Sequence, residues 1–205
     1  ISPNGARVVY LADQSLDGLN ELWSVPLSGG TATRLNGTLP VSGDVLDFAI
    51  SPDSARVVYL ADQETDTLNE LWSVPLSGGT VTKLNRTLVA GGDVQAFLIS
   101  PDSSWVVYGA DQDADTVDKL LRAPLAGGTP RPLSSDRTRD YYAPRWSPDG
   151  ERVVAIATPD HVGRPRLSKP EGLAQTRAIV FDREGRTLND APGFMPDWMP
   201  PWPER

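Results

Sequence analysis

Three acidic segments carry residue types at a spacing that could hold a cation: Asp13-Gln-Ser-Leu-Asp17, Asp62-Gln-Glu-Thr-Asp66 and Asp111-Gln-Asp-Ala-Asp115, the last followed by Asp118. Calcium takes roughly six to eight oxygen ligands from loops of this kind. That makes Asp13, Asp17, Asp62, Asp66, Asp111, Asp113 and Asp115 the candidate ligands. The segments lack the Asp-x-Asp-x-Asp-Gly spacing and the closing bidentate Glu of a calcium loop. Asp side chains also close local turns by accepting backbone N–H groups. The turn role is the expected one, with no cofactor required and calcium the alternative.

A second grouping is basic and aromatic. Arg131, Arg137, Arg139, Arg145 and Arg152 surround Tyr141 and Tyr142. Arginine and tyrosine are enriched at protein interfaces, which makes Arg137, Arg139, Tyr141 and Tyr142 candidate partner contacts. Asp136, Asp140, Asp149 and Glu151 interleave with them, as on a mixed solvated face. Enzyme signatures are missing. The sequence has no Gly-x-Ser-x-Gly elbow, no His-Glu-x-x-His, no Gly-x-Gly-x-x-Gly and no phosphate-binding Gly-x-x-x-x-Gly-Lys-Ser/Thr string. Its one histidine, His161, sits in a Pro/Gly-rich stretch, and there is no cysteine to serve as nucleophile, redox centre or thiolate ligand. No catalysis is expected.

The acidic segments recur because the whole chain recurs. Residues 1–49 and 50–98 align without a gap and agree at 35 of 49 positions. A third copy keeps the 49-residue interval through Ile1, Ile50 and Ile99, Asp13, Asp62 and Asp111, Pro26, Pro75 and Pro124, and Gly29, Gly78 and Gly127. A divergent fourth copy starts at Trp146-Ser-Pro-Asp-Gly150, and Pro196-Asp-Trp-Met-Pro200 echoes Pro144-Arg-Trp-Ser-Pro148. The expected organisation is one domain over residues 1–205, with repeats 1–49, 50–98, 99–145 and 146–197 and a closing strand at 194–200.

Each repeat reads as four strands joined by tight turns. In the second copy they are predicted at Val45–Ile50, Arg56–Leu60, Glu70–Val74 and Thr80–Leu84, with turns at Ser51–Ser54 and Leu76–Gly79. The second strands (VVYL, VVYL, VVYG, VVAI) are continuous apolar runs, so both of their faces must be covered and the sheets must stack. Trp23 and Trp72 recur on the third strand and are expected in those stacking interfaces. No helix of ordinary length is predicted. A four-stranded unit of this length, repeated, is the signature of an all-β chain folded as a β-propeller of antiparallel blades.

Composition narrows the partners. The net charge is −8, and residues 1–130 hold 7 basic against 16 acidic side chains. A nucleic-acid footprint needs the opposite sign. No apolar run approaches the roughly 20 residues of a membrane helix, so no membrane insertion is expected.

Trp146-Ser-Pro-Asp-Gly150-Glu-Arg-Val-Val, its variants at Ile1, Ile50 and Ile99, and Glu70-Leu-Trp-Ser-Val-Pro-Leu-Ser-Gly-Gly79 resemble the WD40-like PD40 repeats of the TolB-like propeller superfamily. The resemblance implies rings of six to eight blades, a periplasmic or extracellular location, and a scaffold that holds a protein or peptide. It equally implies the gating propeller of a prolyl-oligopeptidase-type peptidase. A third function, suggested by the acidic loops, is calcium-dependent adhesion at the cell surface. The segment 194–200 resembles the strand that closes such rings by completing the first blade. The chain begins at Ile1 rather than Met, which fits part of a larger ring, whereas its strand count fits a closed ring of four. If four blades do not close alone, an oligomer follows.

Overall fold

The computed structural model describes residues 1–112, 119–134, 139–159 and 177–192, and these form four antiparallel sheets with no helix among them. Sheet 1 contains β1 (Arg7–Ala12), β2 (Glu21–Pro26) and β3 (Thr33–Arg34). Sheet 2 contains β4 (Val45–Ile50), β5 (Arg56–Ala61), β6 (Glu70–Pro75) and β7 (Thr82–Lys83). Sheet 3 runs β8 (Val94–Ile99), β9 (Trp105–Ala110), β10 (Lys119–Pro124) and β11 (Arg131–Pro132). Sheet 4 runs β12 (Arg139–Trp146), β13 (Arg152–Pro159), β14 (Arg177–Asp182) and β15 (Thr187–Pro192). Every sheet is a meander in which consecutive strands pair. The predicted closing strand at 194–200 lies outside the described residues.

The predicted strands of the second copy match β4, β5 and β6 within one residue, but the last is shorter than expected. Only Trp72↔Lys83 and Ser73↔Thr82 pair in the β6–β7 ladder. Beyond Lys83 the Asn85 side chain takes over, its Oδ1 accepting from the Leu71 N–H at 2.8 Å. Asn36 and Ser134 accept from Leu22 and Leu120 at the same place in sheets 1 and 3. A side-chain acceptor therefore ends the fourth strand and frees the chain to cross to the next sheet.

The Ser-Pro-Asp turns between first and second strands are held by one hydroxyl. Ser51 Oγ donates to Asp53 Oδ1 at 2.6 Å and accepts from the Arg56 N–H at 2.9 Å, while Asp53 Oδ1 accepts from the Ala55 N–H at 2.9 Å. Ser100 with Asp102 and Ser147 with Asp149 repeat the arrangement. Partial burial pushes the Asp53 and Asp102 carboxyls up, but the hydrogen bonds outweigh it and leave both below the usual carboxylate range. Asp149, bonded first to Ser147, is lowered as well. A carboxyl whose folded pKa is depressed stabilises fully above its unfolded pKa, near ~3.9, and that stability is lost as pH falls through the folded value. The melting temperature should therefore drop progressively as pH falls below about 4. Ser51→Ala/Ser100→Ala/Ser147→Ala should flatten that dependence, and an equally steep acid decline in the triple variant would contradict the assignment.

Buried apolar clusters lie between successive sheets. Val9, Leu22 and Leu35 of sheet 1 meet Val57, Tyr59, Trp72 and Val74 of sheet 2. Val58, Leu60 and Leu71 meet Val106, Tyr108 and Leu121 of sheet 3. Val107, Leu120 and Leu133 meet Val153, Ala155, Ile179 and Phe181 of sheet 4. The central strands β5 and β9 are buried at every residue after the first, as their continuous apolar sequence predicts. β1 has the same sequence as β5 yet is mostly half-exposed, because among the described residues it has neither an inner strand beside it nor a sheet on its outer face. Trp72 is buried and its repeat-mate Trp23 only half-buried for the same reason. Among the described residues no apolar cluster joins the first sheet to the fourth.

Candidate functional site

Antiparallel pairing places the loops between second and third strands, and the connections from each sheet to the next, at one end of the molecule. The Ser-Pro-Asp turns and the Gly-Gly turns fall at the other. Of the acidic residues, Asp13, Asp17, Asp62, Asp66 and Asp111 thus gather at this loop end.

There the two best-defined aspartates serve the backbone. Asp62 is buried; its Oδ1 accepts from the Asp44 N–H and its Oδ2 from the Thr67 N–H at 3.1 Å. Asp44 Oδ1 in turn accepts from the Asn20 N–H at 2.7 Å, and the Asn20 carbonyl accepts from the Val45 N–H at 2.9 Å, which ties the loop of sheet 1 to the first strand of sheet 2. One repeat later Asp111 accepts from the Asp93 N–H and Asp93 from the Asn69 N–H. The glutamines after these aspartates add a latch between sheets. Gln63 Oε1 accepts from the Gly37 N–H and the Tyr59 hydroxyl, both at 2.7 Å, and Gln112 Oε1 accepts from the Arg86 N–H at 3.0 Å. Packing is tight enough that a Cβ on Gly92 would stand 2.7 Å from the Asp111 carbonyl oxygen.

The other candidate ligands are not drawn into such a network. Asp13, Asp17 and Asp66 are exposed, and Asp113, Asp115 and Asp118 lie outside the described residues. Among the described residues no group of three or more His, Asp or Glu side chains is placed to hold a metal ion.

The basic and aromatic stretch needs one correction. Tyr141 is 2% exposed and packs at 5.8 Å, ring centroid to ring centroid, against Phe181 in the core between sheets 3 and 4, so it offers no surface to a partner. Period-two alternation along β12 turns it inward, which the local charge around it conceals. Arg139 and Tyr142 lie on β12 opposite Pro159 and Ile156, and Arg137 lies outside the described residues.

Two charged features escaped the sequence reading. Glu70, 1% exposed, is met at 2.5 Å by Lys83 Nζ, which also reaches Glu64 at 2.6 Å and stands 5.2 Å from the centre of the Trp72 ring. Burial lowers the Lys83 pKa, but the two glutamates outweigh it and the net shift is upward. The Asn-Glu-Leu-Trp shared by the first two copies was the available signal, since a Glu set beside core residues needs a cation. In sheets 1 and 2, Arg7 and Arg56 donate from Nε to Ser24 and Ser73 across the strand pair at 2.7 Å. In sheet 3 the arginine has changed strands: Arg122 stands at the serine position and stacks at 4.7 Å over Trp105, which stands at the arginine position.

The first two copies differ at 14 of 49 positions, and nine of these (15, 16, 18, 37, 40, 41, 42, 46 and 47) lie at the loop end. Leu16, Val41 and Leu46 are 60%, 90% and 49% exposed there, where the second copy has Thr65, Ala90 and Gln95. The remaining five (4, 5, 32, 34 and 49) are spread over the rest of the blade, so the differences concentrate at this end.

Solved structures share the arrangement. A protein assigned as TolB in Agrobacterium tumefaciens is 22% identical, with a TM-score of 0.59 over 93% of this chain and 63% of its own length. The tricorn protease matches at 16% identity and a TM-score of 0.60, over 85% of this chain and 16% of its own. TolB from Acinetobacter baumannii matches at 17% identity and a TM-score of 0.52, over 91% of this chain and 40% of its own. The fold is a β-propeller. Its four sheets are blades, the first with three described strands. No family model and no curated protein matches the sequence. The chain spans less than two thirds of each of these structures.

Proposed function

We propose that the chain is a non-catalytic propeller scaffold whose loop end holds a protein or peptide. The observation that carries this is the distribution of differences between two nearly identical blades: backbone latches and core are repeated, and variation collects on exposed loops, where propellers and other rigid scaffolds carry binding. The resemblance to TolB-like repeats supports an exported, periplasmic or extracellular protein.

Selection of a displayed random peptide library on the 205-residue chain tests this. Enriched peptides should lose binding when loop-end positions 15, 16, 41 and 46 are changed together, and keep it when the exposed turn-end residues Asn4 and Asp53 are changed. Binders indifferent to the loop end, or hydrolysis of the peptides by the chain, would refute the proposal. The gating propeller of a peptidase is the second reading, supported by the prolyl endopeptidase propeller at a TM-score of 0.60 and 18% identity. A hydrolase domain in the same reading frame would favour it.

A further inference from the structure

Two facing β-turns at the loop end of blade 1 build a groove of about 320 Å3, lined by Leu16, Leu19, Leu39, Pro40 and Val41 with Asp17 and Ser42. In one turn the Leu19 N–H donates to the Leu16 carbonyl at 3.1 Å, with Gly18 at φ +82°. In the other the Gly43 N–H donates to the Pro40 carbonyl at 3.0 Å, with Ser42 at φ 71°. The turns are local and hydrogen-bonded, so the groove exists before anything enters it.

Blade 2 has the same two turns, closed from Leu68 to Thr65 at 3.1 Å and from Gly92 to Val89 at 2.9 Å. Its decoration differs: Thr65 replaces Leu16, Ala90 replaces Val41, and Leu88 is buried where Leu39 is half-exposed. Leu19, Leu39 and Pro40 have apolar counterparts in Leu68, Leu88 and Val89, so what blade 1 adds to the shared backbone is the exposed pair Leu16 and Val41. Exposed leucine and valine gain nothing from water, and their convergence on one groove marks a contact surface.

Charge identifies the occupant. Residues 12–20 and 35–47, which supply the groove and its surroundings, contain Asp13, Asp17, Asp44 and Asp47 and no lysine or arginine. Asp13, Asp17 and Asp47 are exposed, and none of them is in an ion pair with a described lysine or arginine. In blade 2 the corresponding residues 61–69 and 84–96 hold four carboxylates, Asp62, Glu64, Asp66 and Asp93, together with one cation, Arg86. Resting on the scaffold reading above, we propose that the loop end of blade 1 docks a cationic peptide segment, one aliphatic side chain seated between Leu16 and Val41 and flanking lysines or arginines facing Asp17 and its neighbouring carboxylates. The field of the carboxylates would steer such a segment in, and the groove would select the residue it carries.

The test is titration of the 15N-labelled 205-residue chain with end-blocked Lys-Lys-Leu-Lys-Lys, followed through backbone amide shifts. Saturable changes confined to residues 16–19 and 39–42 are expected. Leu16→Thr/Val41→Ala, which installs residues blade 2 already tolerates, should weaken binding about tenfold, as should serine in place of the peptide's leucine. End-blocked Glu-Glu-Leu-Glu-Glu should not bind. Unchanged affinity in the variant, equal binding of the serine peptide, or no saturation by about 1 mM would overturn the inference. Binding of selected library peptides elsewhere on the loop end would leave the scaffold reading standing while this one fell.

Discussion

Tyr59→Ala should destabilise the chain by about 3–5 kcal/mol, while the same change one repeat earlier, Tyr10→Ala, should cost about 1 kcal/mol or less. The two tyrosines occupy equivalent positions in identical strand sequences, so local propensity cancels between them. Tyr59 is fully buried between blades 1 and 2, whereas Tyr10 faces the side of blade 1 with no described neighbour and is half-exposed. Removing the Tyr59 ring leaves a cavity in a close-packed interface and also deprives Gln63 of its hydroxyl partner. Burial of that hydroxyl pushes its pKa far above the ordinary tyrosine value despite the Gln63 bond, so it stays neutral and donating throughout the stable range. Tyr59→Phe separates the two contributions and should cost about 1 kcal/mol. Chemical denaturation of the four proteins reads all of this, and equal losses at positions 10 and 59 would show that the blade interface is not where stability resides.

Asp62→Ala should cost about 2–4 kcal/mol, because one carboxylate there serves the backbone N–H groups of both Asp44 and Thr67, and hydrogen bonds to a charged acceptor are worth more than neutral ones. Asp13→Ala, at the equivalent but exposed position, should stay within about 0.5 kcal/mol. Neither value should change when calcium is chelated or supplied, since the role assigned to Asp62 is complete without a metal. A melting temperature that rises with calcium in the parent chain and not in Asp62→Ala would instead establish ligation and revive the adhesion alternative.

In the second copy the positions of β4, β5 and β6 were legible in the sequence to within a residue, because their apolar runs are punctuated by the Pro-Asp and Gly-Gly turns. The fourth strand was read too long because Thr80–Leu84 has strand-forming composition, and only the Asn85 side chain, reaching 14 residues back to Leu71, ends the ladder. Tyr141 was misread because charge density along the chain reports nothing about which face of β12 a residue takes. The Glu70–Lys83 pair was missed because its members are 13 residues apart and meet only across β6 and β7.

Periodicity by itself determined the stacked four-stranded units, since a strand buried on both faces requires a sheet on either side and a 49-residue repeat supplies one at regular intervals. It equally determined that acidic residues would recur between the second and third strands. Tertiary structure alone decided what each repeated residue does. Asp62 is a buried keystone and Asp13 an exposed charge, and Trp72 is core where Trp23 is half-exposed. Leu16 and Val41 became the walls of a groove. Identical residues diverge in this way because burial, and with it the strength of every hydrogen bond and charge, is set by the neighbouring blade rather than by the residue's own segment.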